Sequence, residues 1–143
     1  LVARRAPVVK EGFHKSIERS KDVVRRCIEA VNEQDLVARD ELAAPELAQR
    51  CMEGVIPWLN SAFPGQHMEI TVMRAEEDRV VARIASSGGH AGEWRGIRPT
   101  GKQWTNTGVY FLRLSGGRVV ELASLFDELN HALSLGATLV PPA

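Results

Sequence analysis

Between Phe13 and Val31 apolar side chains return at helical spacing. Phe13, Ile17, Val24, Cys27, Ile28 and Val31 share one face, and Glu18, Arg19, Lys21, Asp22, Arg25, Arg26 and Glu29 occupy the others. The spacing predicts an amphipathic helix. The polar run from Asn32 to Asp35 interrupts it, and a shorter helix restarts over Leu36 to Leu42. That helix ends before Ala44-Pro45, because the residue preceding a proline is pushed out of the helical region. A third helix is expected from about Glu53 to Ala62, carrying Val55, Ile56, Trp58 and Leu59, with Phe63 beyond it. Pro57 fits only in its first turn, where a missing N–H is harmless, and Pro64-Gly65 stops it.

Beyond Gly65 the pattern changes to strict alternation. Met68, Ile70 and Val72 oppose Glu69, Thr71 and Met73; after the polar turn from Glu76 to Arg79, Val80, Ala82 and Ile84 oppose Val81, Arg83 and Ala85. Two paired strands follow from this. Two further runs, Trp104 to Leu114 and Arg118 to Phe126, flank Ser115-Gly116-Gly117 as a hairpin would. Ahead of that hairpin, Gly92, Gly96, Pro99 and Gly101 punctuate a loop that carries Trp94 and Ile97, suited to cap the mouth of a sheet. Helices first and a curved antiparallel sheet after them give an α+β cone with three N-terminal helices on the concave face. The cavity between the two layers is the expected ligand site.

Composition narrows the picture. A chain of 143 residues with 44% apolar content fits one domain, read here as residues 13–137 between a flexible tail (1–12) and a short C-terminal tail (138–143). Eighteen basic and 18 acidic residues cancel, so nothing draws the chain in bulk toward nucleic acid or an acidic membrane. Arg4, Arg5 and Lys10 read as a solvated terminus rather than a nucleic-acid arm. Cys27 and Cys51 have no CxxC spacing and lie among apolar residues, which reads as buried free thiols in a reducing cytoplasm. No run is long and apolar enough to span a membrane.

No motif announces the chemistry. Phosphate-binding glycine loops, a dinucleotide fingerprint, HExxH and a glycine-flanked nucleophilic serine are all missing, and His14, His67, His90 and His131 lack metal-ligand spacing, so no bound metal is expected. Catalysis would then rest on lone polar side chains whose pKa values are tuned by burial in an apolar pocket.

The order GxHxGEWxGIxPTGK from Gly88 to Lys102, then the hairpin, then FDEL and LSLG, resembles the SnoaL-like branch of the nuclear transport factor 2-like superfamily. His90, Gly92, Glu93, Gly96, Pro99, Thr100, Gly101, Gly117, Phe126, Asp127, Leu135 and Gly136 carry the likeness, which extends over roughly residues 17–137. The resemblance implies the cone fold, a homodimer and an aromatic polyketide substrate. It does not fix the activity, because the same fold hosts cyclases, hydrolases, isomerases and binding proteins. In the family's aldol cyclases an aspartate near the end of the last strand is the acid/base. Aligned on the hairpin glycine and LSLG, that position is Ser124 here, and a cyclase histidine on the preceding strand corresponds to Tyr110. A serine hydroxyl cannot take a carbon-bound proton as a carboxylate does.

Asp127 is read as the N-cap of a last helix beginning at Glu128, with a displaced acid/base as the alternative. Arg83 either bridges to Glu121 or Glu93 or positions a ligand oxygen; His90 is either a loop anchor or a proton carrier. If Ser124 faces inward, then Leu122 and Phe126 join it, with Trp104, Asn106, Gly108, Tyr110 and Leu112 from the partner strand. Together with Trp58, Phe63, Trp94 and Ile97 this wall suits a flat polycyclic ligand. The missing carboxylate turns the expectation from ring closure toward the family's hydroxylases, which act without bound metal or flavin. Dioxygen would be co-substrate, a separate short-chain reductase would supply electrons from NADPH, and Arg83, Asn106, Tyr110 and His90 would orient the substrate. The rivals are an aldol cyclase using Asp127 or His90 and a non-enzymatic binding domain.

Overall fold

The computed structural model describes residues 8–143. Its first element, α1 (Val8–Glu33), starts five residues before Phe13, so residues 8–12 of the expected tail are helical, while Arg4 and Arg5 lie outside the described residues. Burial on α1 is concentrated at Val24, Ile28 and Ala30, and Phe13 is exposed. Next come α2 (Leu36–Leu42) and α3 (Pro45–Arg50), then a π-helical turn (Cys51–Val55) leading into α4 (Ile56–Ala62). Pro45 therefore does two things. It ends α2 and opens α3 from a first-turn position, where proline's fixed φ favours the helix. The expected third helix thus begins earlier and is wound wider in its middle, just ahead of Pro57, which sits in the first turn of α4.

Strands β1 (His67–Glu76), β2 (Arg79–Gly89), β3 (Gln103–Ser115) and β4 (Arg118–Phe126) form one antiparallel sheet in that order, and α5 (Glu128–Ser134) follows. Alternation holds in β2 and β3, where Val80, Ala82, Ile84 and Ser86 and then Trp104, Asn106 and Gly108 are buried on the inner face. In β1 it fails. Pairing steps from Ile70 opposite Ile84 to Val72 opposite Arg83, a bulge that turns Val72 outward and brings Met73 opposite Ala82. Bulges of this kind bend a strand and help curl the sheet over the helices.

Two polar clamps fix the layers. Asn32, at the end of α1, donates from Nδ2 to the Met68 carbonyl and accepts the Met68 N–H on Oδ1, both at 2.8 Å. The Ala44 N–H donates to the Val119 carbonyl at 2.8 Å and ties the α2–α3 junction to β4. Between the clamps Val24, Ile28, Leu47, Met68, Val80, Ile84, Leu112 and Val119 form the main core. A second cluster, Ala62, Phe63, Trp94, Trp104 and Leu135, lies at the other end under the loop after β2. Each buried aliphatic or aromatic side chain contributes about 1.5–3 kcal/mol, so the two clusters hold the cone open from both ends.

Candidate functional site

Between the helices and the inner face of the sheet lie two adjoining chambers. The larger, about 450 Å³, runs under α1 to α3 and the π turn and ends on Tyr110, Leu112, Leu122 and Ser124. The smaller, about 180 Å³, reaches toward the aromatic cluster and is lined by Trp58, Phe63, Trp94, Trp104, Asn106, Phe126 and His131. Leu59, Met68, Tyr110 and Ser124 line both, so the two are one hollow with a waist. Together they fall in the size range of a small-molecule site.

Strand register explains who meets whom. Tyr110 stands opposite Ser124, Leu112 opposite Leu122, and Gly108 opposite Phe126. A Cβ on residue 108 would sit 2.3 Å from the Phe126 ring, so only glycine lets that ring fold across β3 into the hollow. There it meets Tyr110 edge-on, at 5.5 Å between centroids. The Tyr110 hydroxyl donates to the Met68 sulfur at 3.6 Å, a weak acceptor. Burial pushes its pKa up to about 12, so it is a neutral hydrogen-bond donor throughout the physiological range. Asn106 Oδ1 accepts the Thr107 N–H at 2.9 Å, which leaves its Nδ2 as the group offered to a ligand.

Four expected site residues take other places. Arg83 is exposed on the outer face, opposite Val109 and Val72, because odd positions of β2 point away from the helices; it reaches neither Glu121, which pairs with Arg113 at 2.6 Å, nor the hollow. His90 is buried but lines neither chamber. Its Nδ1 receives the Thr100 N–H at 3.3 Å and lies 3.0 Å from the Thr100 hydroxyl, which makes it the loop anchor and places its own proton on Nε2. Asp127 accepts the Asn130 N–H at 3.0 Å and caps α5, facing the outer surface. Ile97 packs beside the second cluster and exchanges hydrogen bonds with Trp94 at 3.0 and 2.9 Å rather than lining the hollow. The two thiols, expected to be buried, are half-buried and line the larger chamber; burial raises Cys27 to about 11 and keeps it protonated.

Two residues that sequence reasoning did not place in the site belong to the hollow. His131, on α5, is packed 4.2 Å from Trp104, 4.5 Å from Trp94 and 4.9 Å from Phe63, centroid to centroid. Desolvation by burial, and secondarily the nearby His90, hold its pKa below the ordinary value of 6.5, so the imidazole is neutral at pH 7. Its Nε2 has no hydrogen-bond partner among the described residues. The second is Arg39 on α2, buried in the wall of the larger chamber. Neither carries a spacing signal; only the aromatic surroundings of His131 and the apolar face of α2 mark them out. Arg95 stacks over two residues of the smaller chamber's lining, Trp58 at 5.5 Å and Trp94 at 5.3 Å, and pairs with a third, Glu128, at 2.8 Å.

The family model for SnoaL-like polyketide cyclases matches residues 21–134, a span that includes every wall of this hollow. The chain belongs to the SnoaL-like polyketide cyclase family. Among solved SnoaL-like structures it is similar to AclR of Streptomyces galilaeus, which carries a hydroxylase assignment, at 27% identity over 88% of this chain and 90% of that one, with a TM-score of 0.77. IdmH of Streptomyces antibioticus, which carries a polyketide cyclase assignment, is 24% identical over 82% of this chain and 99% of that one, with a TM-score of 0.73. A SnoaL-like protein from Jannaschia is 19% identical over 99% and 100% of the two chains, with a TM-score of 0.76. The last two likenesses, at that identity, speak for the α+β SnoaL-like fold alone. Comparison with curated proteins yields no match.

Among the described residues no three His, Cys, Asp or Glu side chains converge as metal ligands, and no helix is long and apolar enough to cross a membrane.

Proposed function

We propose that this SnoaL-like chain is a tailoring enzyme that hydroxylates a polycyclic aromatic polyketide held in the two-chambered hollow. The observation that carries the reading is Ser124 opposite Tyr110: the inner sheet face bears hydroxyl and amide groups where ring-closing relatives of the fold are expected to carry a carboxylate. The 27% likeness to a protein with a hydroxylase assignment points the same way.

The substrate enters as its reduced, electron-rich hydroquinone. Overall, a ring C–H, dioxygen and two electrons with two protons give a ring C–OH and water. The electrons reach the ring beforehand from NADPH, through a separate short-chain reductase. This chain's part is to hold and bias the ring. Trp58, Trp104 and Phe126 stack on it, Tyr110 and Asn106 donate hydrogen bonds to its oxygens, and neutral His131 accepts a proton from a ring hydroxyl. Two copies associate through the outer sheet face, where Val81, Phe111 and Leu125 are exposed side by side.

A second reading is favoured by His131 itself. A neutral imidazole in an apolar chamber could remove the proton from carbon next to a carbonyl, after which the carbanion closes a ring on a second carbonyl and takes the proton back as a hydroxyl. One experiment separates the readings. Purified protein is incubated with anthraquinone-type polyketides, with and without oxygen, a quinone reductase and NADPH, and products are weighed by mass spectrometry. Oxygen-dependent gain of one oxygen atom, reduced in Tyr110→Phe, supports hydroxylation. Ring closure without oxygen, abolished in His131→Gln, replaces it with the cyclase, and tight binding without turnover leaves a binding domain.

A further inference from the structure

Among the described residues, the Arg39 guanidinium is the one buried charge in the walls of the hollow with donors that find no acceptor. Its side chain is 8% exposed, and neither Nε nor Nη2 has a hydrogen-bond acceptor among the described residues. The carboxylate near it belongs to Asp40, 3.9 Å from Nε, beyond hydrogen-bond reach, on a side chain that is 61% exposed. An arginine cannot escape by losing its proton, so an open buried guanidinium costs the fold stability until an anion reaches it.

Position and chemistry select the anion. Nε and Nη2 are the two nitrogens on the outer edge of the guanidinium fork, the edge that holds a planar two-oxygen anion by parallel hydrogen bonds. The backbone carrying it is held at both ends. The Asp35 side chain caps α2 on the Ala38 N–H at 3.0 Å, and the Ala43 N–H donates to the Arg39 carbonyl at 3.0 Å. Around it the larger chamber is walled by apolar residues, among them Ile28, Val31, Ala43, Leu47 and Val119. Arg50, the other cation on this chamber's wall, is exposed and open to water.

We infer that Arg39 receives a carboxylate of the ligand, so that the preferred substrate is a polycyclic aromatic acid whose ring system lies toward Tyr110 and whose acid group points to α2. The side chain turns its Nε–Nη2 edge from the wall into the chamber as the acid enters. Asp40 releases no hydrogen bond in that turn, because it makes none to Arg39 in the free protein. This assignment rests on the reading of the hollow as a polycyclic ligand site.

The test pairs anthraquinone-2-carboxylate with anthraquinone-2-carboxamide, two probes of one shape, in calorimetric titrations of the full chain at pH 7.5. Wild type is expected to bind the acid at least about tenfold more tightly than the amide, and Arg39→Gln to lose that preference. Arg39→Lys, which keeps charge but not the fork, should retain only part of it. Thermal melts of free Arg39→Gln are expected at or above the wild-type temperature, since an unmatched charge is removed; a melt many degrees lower would mean the fold already satisfies the guanidinium and would overturn the inference. Equal affinity for acid and amide in wild type overturns the role of Arg39 and leaves the polycyclic site standing. Failure of both probes to bind removes that site and the inference with it.

Discussion

The imidazole of His131 lies 4.2 Å from the indole of Trp104, centroid to centroid and tilted by 38°. That contact joins the last helix to the start of β3 and puts a neutral base at the aromatic end of the hollow. It also sets a pH dependence. Because burial lowers the folded-state pKa below 6.5, the unfolded chain takes up a proton first as pH falls. The stability contributed by neutral His131 is therefore fully present above about pH 6.5 and is lost as pH falls through the lower folded value. Thermal melts at pH 7.5 and 5 should show wild type losing more of its melting temperature than His131→Gln does over the same interval. Equal losses in the two proteins would remove His131 from the account.

Gly108 is required by Phe126. Alanine there places its Cβ 2.3 Å from the ring, so either the ring or β3 moves. Gly108→Ala is expected to cost about 1–3 kcal/mol in urea unfolding and to weaken binding of a polycyclic probe, because the displaced ring reshapes the waist of the hollow. Unchanged stability and affinity would show that the ring swings away freely.

Tyr110 acts as a hydrogen-bond donor, not as a titrating acid. With its pKa at about 12, Tyr110→Phe should lower turnover by roughly 10–100-fold while the shape of the pH–rate profile between pH 6 and 9 stays the same. A profile whose limb moved in the variant would mean that tyrosine ionises in the cycle. Arg83→Ala, on the outer face, should leave turnover within about twofold of wild type, as changes away from a site do.

The outer face offers a separate test. Leu125 is 71% exposed in line with Val109 and Arg83, beside Phe111 and Val81. A charge in this patch opposes burial between two copies. Sedimentation of wild type as a dimer and of Leu125→Arg as a monomer is the expected outcome; a monomeric wild type would leave the apolar patch without a partner copy.

The amino-acid sequence by itself determined the order of elements and the wall of the hollow that a single strand pair builds. Period-two alternation over β3 and β4 places Asn106, Tyr110, Ser124 and Phe126 on one face, because neighbouring side chains on a strand point to opposite sides. Local cues of the same kind gave the Asp127 cap and the turn at Gly116-Gly117. Tertiary structure decided everything that depends on contacts between distant segments. Which face of β2 meets the helices set Arg83 outside. The Thr100 N–H, ten residues away, fixed His90 as an anchor. A one-residue bulge at β1, silent in the apolar pattern, exchanged the roles of Val72 and Met73. His131 became a candidate base only when α5 folded back against Trp94 and Trp104, and Arg39 an open cation only when α2 closed on β4. A pKa and an unmet hydrogen bond are properties of surroundings, and those surroundings come from residues far apart along the chain.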